Sequence, residues 1–307
     1  MSGTAIGTAV LAGSTSAQQQ ASRLNNDELI LLGTRGGPLV NGYTSSPSAN
    51  LLVYKGVPYI VDTGYGVTLK SIQAGMDLPE LRYVFITHHH SDHNLELGPL
   101  LYNSWAAGLR MPVNVYGPAG LEPLLTAYWA SNRYDLETRI ADEGRPDLRR
   151  LVIAHEYSNG QVLSNGDVKV SALRNLHPPV QESYSLKFEL GSKSVVFSGD
   201  TAFFPPLADF ARGADYLVHE VLYGPALDAL VARRPNAQTL KASIMSHHTL
   251  AEDVGRIASQ ANVKTLVLNH FVPGDDGTLT TNMWRDAVRK TFGGNIVVGS
   301  DLLRLPL

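Results

Sequence analysis

The pattern of apolar and polar positions divides the chain into short strands separated by breaker-rich loops. Residues 28–33 (ELILLG) form an apolar run of strand length that enters residues 34–50, a segment too rich in Gly, Pro and Ser for regular structure. Residues 51–54 and 59–62 predict a hairpin turned at Lys55-Gly56. Residues 81–87 predict a third strand, and a cluster of histidines begins at its end, where a rigid scaffold presents side chains that stay accessible. Helices are expected over 95–108 and 121–131, around a short strand at 113–116. Residues 133–150 are charged without strong periodicity and read as a solvated face. In the second half, Leu186, Phe188 and Leu190 alternate with polar residues as a half-buried strand requires, and 193–197 and 216–218 continue a sheet. Thr249 and Glu252 have capping-box spacing and predict a helix to about Ala261, followed by a buried strand at 264–269, a final helix and a closing hairpin ending in IVVGSDLLRL.

Composition narrows the class. The 307 residues are 44% hydrophobic and 17% charged, which describes an ordinary globular chain able to bury a large core. A net charge of -3 disfavours a protein whose main affinity comes from neutralising nucleic-acid phosphates. With no cysteine and ten histidines, any metal has to be held by imidazole and carboxylate. Residues 1–24 are small and weakly apolar with a small-residue site near Ala17, so they read as a signal-like or disordered leader, although no Lys or Arg precedes the apolar part. The expected location is periplasmic or secreted if the leader is a signal, and cytoplasmic otherwise. Elsewhere no apolar run is long enough to span a membrane. Residues 25–307 are expected to form one catalytic domain.

The segment Thr87 to His93, T-H-H-H-S-D-H, carries His88, His90, Asp92 and His93. Such a set arises by chance on the order of once in a thousand chains of this size or less. In an extended turn, residues two apart point the same way, so His88 and His90 can grip one ion while Asp92 and His93 turn toward a second. By the same alternation His89 points away, and His155 has no motif around it.

In these motifs and their order the sequence resembles the metallo-β-lactamase superfamily: Val61-Asp62-Thr63-Gly64 before the His cluster, His177 after it, Phe197-Ser198-Gly199-Asp200-Thr201, and His270 closing a late strand. Leu32-Gly33-Thr34, the run Ala214 to Glu220 and His247-His248-Thr249 are most similar to the branch containing transfer-RNA 3′-processing ribonuclease Z and the zinc arylsulfatases. The resemblance implies a four-layer αββα sandwich of two mixed sheets flanked by helices. It implies that His88, His90 and His177 bind one metal, that Asp92, His93 and His270 bind the other, and that Asp200 bridges them. Two zinc ions are expected, with manganese or iron compatible with the same ligands. Asp62 is expected to orient a ligand histidine from behind, and His219 and Glu220 to support His247.

The expected chemistry is hydrolysis by a hydroxide held between the ions, with Asp92 able to accept its proton and His247, at a helix start, acting on the leaving group. The ribonuclease branch commonly carries a basic, glycine-rich arm between its third His and its bridging Asp, whereas His177 and Asp200 are only 23 residues apart. Glu96 also stands where the family usually has glycine. The sequence therefore predicts a small anionic ester, an aryl sulfate or phosphodiester, as substrate. A lactone or β-lactam is the alternative, precursor transfer RNA ranks last, nucleic acid is disfavoured as a partner, and a homodimer is left open.

Overall fold

The computed structural model describes residues 24, 26–39, 45–232, 237–274 and 276–307. Most of the leader, including Ala17, lies outside them, as does part of the 34–50 loop. The first half supplies β1 (Glu28–Gly33), β2 (Ala49–Tyr54), β3 (Val57–Thr63), β4 (Tyr83–Phe85), β5 (Val113–Gly117) and β6 (Val152–Glu156). The second supplies β7 (Gly160–Asn165), β8 (Val168–Arg174), β9 (Tyr184–Leu190), β10 (Lys193–Phe197), β11 (Tyr216–Leu222), β12 (Thr265–Val272), β13 (Asn295–Val298) and β14 (Leu303–Pro306).

Among the described residues these strands make two seven-stranded sheets, in the orders β14-β1-β2-β3-β4-β5-β6 and β13-β12-β11-β10-β9-β8-β7. Each sheet is mixed: β1 to β3 and β7 to β10 pair antiparallel, and β3 to β6 and β10 to β13 pair parallel.

Burial on both faces explains the continuous apolar strands. Leu29 and Leu31 of β1 face the second sheet, in a cluster with Val61, Phe85, Phe188 and Val195. Their neighbours Ile30 and Leu32 face outward, against the helices Val67–Gln73, Leu97–Ala106 and Leu121–Ser131. A third cluster covers the outer face of the second sheet with Val254, Ile257, Trp284 and Val288 from the helices Ala251–Ala261 and Thr281–Arg289. The order helix, sheet, sheet, helix is the αββα sandwich that the sequence predicts. Truncating a fully buried side chain such as Leu51 costs about 2–5 kcal/mol in such a core.

The structure departs from the sequence expectations in four places. The strand predicted over 81–87 is confined to β4, and the residues after it form the loop that carries the histidines. Residues 133–150 include the helix Arg133–Glu143, whose exposed surface and single fully buried residue, Leu136, hide its periodicity. The capping box is not formed: Leu250 is the N-cap, Thr249 Oγ donates to Thr201 O at 2.6 Å, and Glu252 pairs with Lys290. The closing hairpin is two strands of different sheets, because β13 adds to β12 and β14 crosses over to β1. Asp301 fixes that crossover by accepting from Thr34 N, Thr34 Oγ and Ser46 N at 3.1, 2.9 and 2.8 Å.

Candidate metal centre

Loops at the carboxyl ends of β3, β4, β8 and β10 and a bulge in β12 meet at one edge of the sandwich. Asp62, the penultimate residue of β3, has φ 64°, a left-handed conformation that non-glycine residues adopt at a cost and that here aims its carboxylate under the next loop. It accepts from Thr87 N at 2.8 Å, Thr87 Oγ at 3.0 Å and His93 Nδ1 at 2.8 Å. Gly64 must lack a side chain, since a Cβ there would lie 2.4 Å from Asp92 O. After His90 the chain turns into a short helix, Ser91–Asn94, which carries Asp92 and His93 inward. Glu96 replaces the family glycine without disturbing the site: its carboxylate accepts from Gly66 N at the start of the helix Val67–Gln73, and its own N–H donates to Thr63 O at 2.9 Å.

Gly199 holds φ 60° with Tyr184 O 2.6 Å from where its Cβ would be, so the turn after β10 needs glycine to present Asp200. His270 is the extra residue of a bulge: Glu220 of β11 faces Asn269 and Val221 faces Phe271, leaving His270 at φ 43° between them. An extra residue re-aims a side chain that would otherwise follow the sheet's alternation.

The seven residues expected to bind metal therefore converge in two overlapping sets. His88, His90, His177 and Asp200 form one, Asp92, His93, His270 and Asp200 the other, and the ligand atoms within each set lie within 4.8 Å of one another. Asp200 stands between them, with Oδ1 3.3 Å from His93 Nε2 and Oδ2 3.2 Å from His270 Nε2, 3.9 Å from His88 Nε2 and 4.0 Å from His177 Nε2.

The surroundings decide which imidazole nitrogen is free. Thr87 Oγ donates to Asp62 and so accepts from His88 Nδ1 at 3.1 Å, His93 Nδ1 donates to Asp62, and His177 Nδ1 donates to His247 O at 2.9 Å. In all three rings the Nε2 lone pair is left facing the centre, as a metal requires. His88 Nε2 and His177 Nε2 both lie 3.1 Å from His90 Nδ1, a gathering of acceptors, and His93 Nε2 and Asp200 Oδ1 are buried without a hydrogen-bond partner among the described residues. These orphaned atoms and the all-N/O donor set fit a pair of divalent cations.

Burial lowers the pKa of His88 well below the ordinary value and that of His177 to about 4, so both present neutral nitrogen. Burial opposes charge on His93 as well, but Asp200, Asp62 and Asp92 raise its pKa well above the imidazole range, and a cation among the same groups competes with that proton.

A cavity of about 400 Å³ opens over the centre, lined by His90, Asp92, His177, Asp200, His247 and His248, with Leu240, Ile244, Val272 and Pro273 as an apolar wall. Glu220 is placed differently from the sequence reading. Its carboxylate takes His248 Nδ1 at 3.1 Å, Thr201 N at 3.0 Å and Thr249 N at 3.2 Å, and it supports His248 rather than His247. Burial works against charge on His248, yet Glu220 lifts its pKa to about 9. His247 is lowered to about 4 by burial and by His248, and its carbonyl holds His177. His219 turns away: it is buried, and Nδ1 bonds to Glu220 O at 2.7 Å. His89 bonds to Pro118 O at 3.2 Å and His155 to Asn114 Oδ1 at 2.9 Å, both outside the centre, as expected. The motif His247-His248-Thr249 names His248, but only the fold brings it to Glu220.

Residues 42–270 match the Metallo-beta-lactamase superfamily. This chain belongs to the metallo-β-lactamase superfamily. It is 31% identical to Ribonuclease Z of Mycobacterium marinum over 281 residues, 91% of this chain and 98% of that protein. It is also 31% identical to Ribonuclease Z of Mycolicibacterium paratuberculosis, over 91% of this chain and 97% of that one. Among solved structures, the metallo-beta-lactamase fold protein YhfI from Bacillus subtilis superposes with TM-score 0.68 at 20% identity, covering 91% of this chain and 99% of that one. Human tRNase Z, short form, gives 0.64 at 19%, covering 91% and 98%.

The near full-length ribonuclease Z relatives overturn the expectation of a small anionic ester, and with it the expectation that nucleic acid is disfavoured. The physical reasons are two. A net charge of -3 averages over the whole surface and says little about the potential at a metal-lined cleft. The short connection from His177 to Asp200, filled by β9 and β10, removes one place for an inserted arm without altering the two clusters of His and Asp.

Proposed function

We propose that this protein is a binuclear-metal phosphodiesterase that cleaves RNA, with the 3′ side of precursor transfer RNA as its substrate and zinc as its resident metal. The observation that carries the reading is the convergence of all seven ligand residues in a chain aligned end to end with ribonucleases Z. His88, His90 and His177 would hold one ion, Asp92, His93 and His270 the other, and Asp200 both. Bound there, two such ions would supply Lewis-acid activation of water and would offset charge on the phosphoryl oxygens.

The chain's own residues do the rest. Asp62 fixes the ring of His93, and the carbonyl of His247 fixes that of His177. Asp92 is held by Gly37 N at 2.9 Å and lies 3.3 Å from His270 Nε2, which sets its carboxylate at the cavity floor. We assign proton delivery to the leaving oxygen to His248, because Glu220 anchors its Nδ1 and leaves Nε2 to carry the proton, whereas the His247 side chain pairs with no carboxylate among the described residues. The apolar wall of Leu240, Ile244, Val272 and Pro273 offers a nucleobase a dry face beside the centre.

The test is incubation of the zinc-loaded protein with a precursor transfer RNA carrying a 3′ trailer. The expected result is one cut at the trailer boundary, reduced about 100-fold or more in His248→Ala with metal content unchanged. Intact precursor, or cleavage indifferent to His248, counts against the reading.

A further inference from the structure

Arg35 is the group in the cavity that the proposed chemistry leaves without a task. It follows β1 in the Gly-rich loop, and its backbone is pinned on both sides: Arg35 N donates to Ser46 O at 2.9 Å, and Gly36 N to Phe271 O at 3.0 Å. Two residues on, Gly37 N donates to Asp92 at 2.9 Å, so the same loop that carries the arginine also touches a ligand set. Its side chain is packed against Gly274 on the opposite rim, where a Cβ would fall 2.2 Å from Arg35 Cγ. The residue is only 3% exposed, yet Nε and Nη2 are buried with no hydrogen-bond partner, and no carboxylate among the described residues pairs with it.

A buried guanidinium with Nε and Nη2 left without partners is costly, and structures normally compensate it. The cavity it lines is open to substrate, and the nearby carboxylates, Asp92 and Asp200, are committed to the ligand sets. A phosphate supplies what is missing: negative charge, and two oxygens in the plane and spacing of the guanidinium fork.

We propose that Arg35 forms an oxyanion subsite beside the metal centre that binds a phosphate of the substrate's sugar-phosphate backbone. This rests on the reading of the site as an RNA phosphodiesterase, but phosphate binding is measurable without RNA. Arg35 offers a planar two-point contact; a lysine there keeps charge but not the fork, and a methionine keeps only the stem.

The experiment compares zinc-loaded wild type, Arg35→Met and Arg35→Lys in three readouts: calorimetric titration with inorganic phosphate, thermal melting without phosphate, and steady-state cleavage of precursor transfer RNA. Phosphate affinity is expected to fall about ten-fold or more in Arg35→Met, with Arg35→Lys between the two, because a charge-assisted fork is lost. Without phosphate, Arg35→Met should melt at or above wild type, since the substitution removes an unpaired buried charge. In cleavage, a rise in KM places a flanking phosphate on Arg35, and a fall in kcat places the scissile one there. Unchanged phosphate affinity in Arg35→Met overturns the proposal, as does a large drop in its phosphate-free melting temperature, which would make Arg35 a structural residue. If phosphate affinity falls as expected while wild type leaves the RNA intact, the subsite stands and the assigned substrate fails. If wild type cuts RNA and phosphate affinity is the same in all three proteins, the reverse holds.

Discussion

In the set Asp92, His93, Asp200 and His270 every residue is buried, and most are tied down from behind: His93 by Asp62, Asp92 by Gly37 N, and His270 by the bulge of β12. In the set His88, His90, His177 and Asp200, His90 is half-buried, and His177 depends on a loop carbonyl from the end of the helix Ala237–His247. The same kinds of ligand thus sit on supports of different stiffness. Preorganised ligands lose less freedom on binding, so the first set should fill at lower metal concentration, and the second, which opens on the cavity, should be the one sensitive to neighbouring loops.

The largest effect expected is the one that erases the difference. Asp200→Ala removes the carboxylate common to both sets, and elemental analysis should find fewer than two equivalents with turnover reduced about 1000-fold or more, while circular dichroism stays native. Two retained equivalents with near-normal cleavage would falsify the shared role of Asp200.

Asp62→Ala should act unequally, because Asp62 holds His93 directly and His88 only through Thr87. It strips the partner from His93 Nδ1 and from Thr87, so metal affinity of the buried set should fall about 10–100-fold, seen as biphasic release to a chelator, with the His88 set less affected. Equal loss from both sets would remove the distinction drawn between them.

A separate effect, outside the two ligand sets, lies in stability. His219 is buried among strands, and burial lowers its pKa from the ordinary 6.5 to about 4. A depressed folded-state pKa means that the unfolded chain takes up the proton first as pH falls, so stability present above pH 6.5 is lost progressively down to about pH 4. The loss attributable to this group is about 3 kcal/mol, and denaturant titrations of His219→Leu should lack that part of the acid decline. An identical pH dependence in the variant excludes His219 as its source.

How far the sequence reaches follows from how local each feature is. His88 to His93 is legible because its ligands lie within one loop, and Asp200 because a Gly-Asp-Thr turn after an apolar strand marks a strand end. The αββα architecture follows from the family that the order of such motifs resembles. What escapes depends on distant partners. Glu220 and His248 are 28 residues apart and meet only when β11 and the chain before the helix Ala251–Ala261 pack together. Nothing local singles out Arg35, which is buried by contacts with Gly274 and by the pairing of its neighbour Gly36 with Phe271. The strands β6 and β7 are half-exposed and their weak alternation leaves no clear signal, whereas β8 does alternate, with Val168, Val170 and Ala172 buried. Residues 295–306 look like a hairpin because sequence cannot tell that each strand has a better partner in a different sheet. Substrate is the least local feature of all, and an average charge and a missing arm point the wrong way.

The central claim, that two unequally supported ligand sets act together to cut RNA, is tested most directly by titrating metal-free protein with zinc while following precursor transfer-RNA cleavage and bound metal in the same samples. The account predicts that the first equivalent binds tightly with little cleavage and that trailer removal rises with the second. Full cleavage at one equivalent, or intact RNA at two, would contradict it.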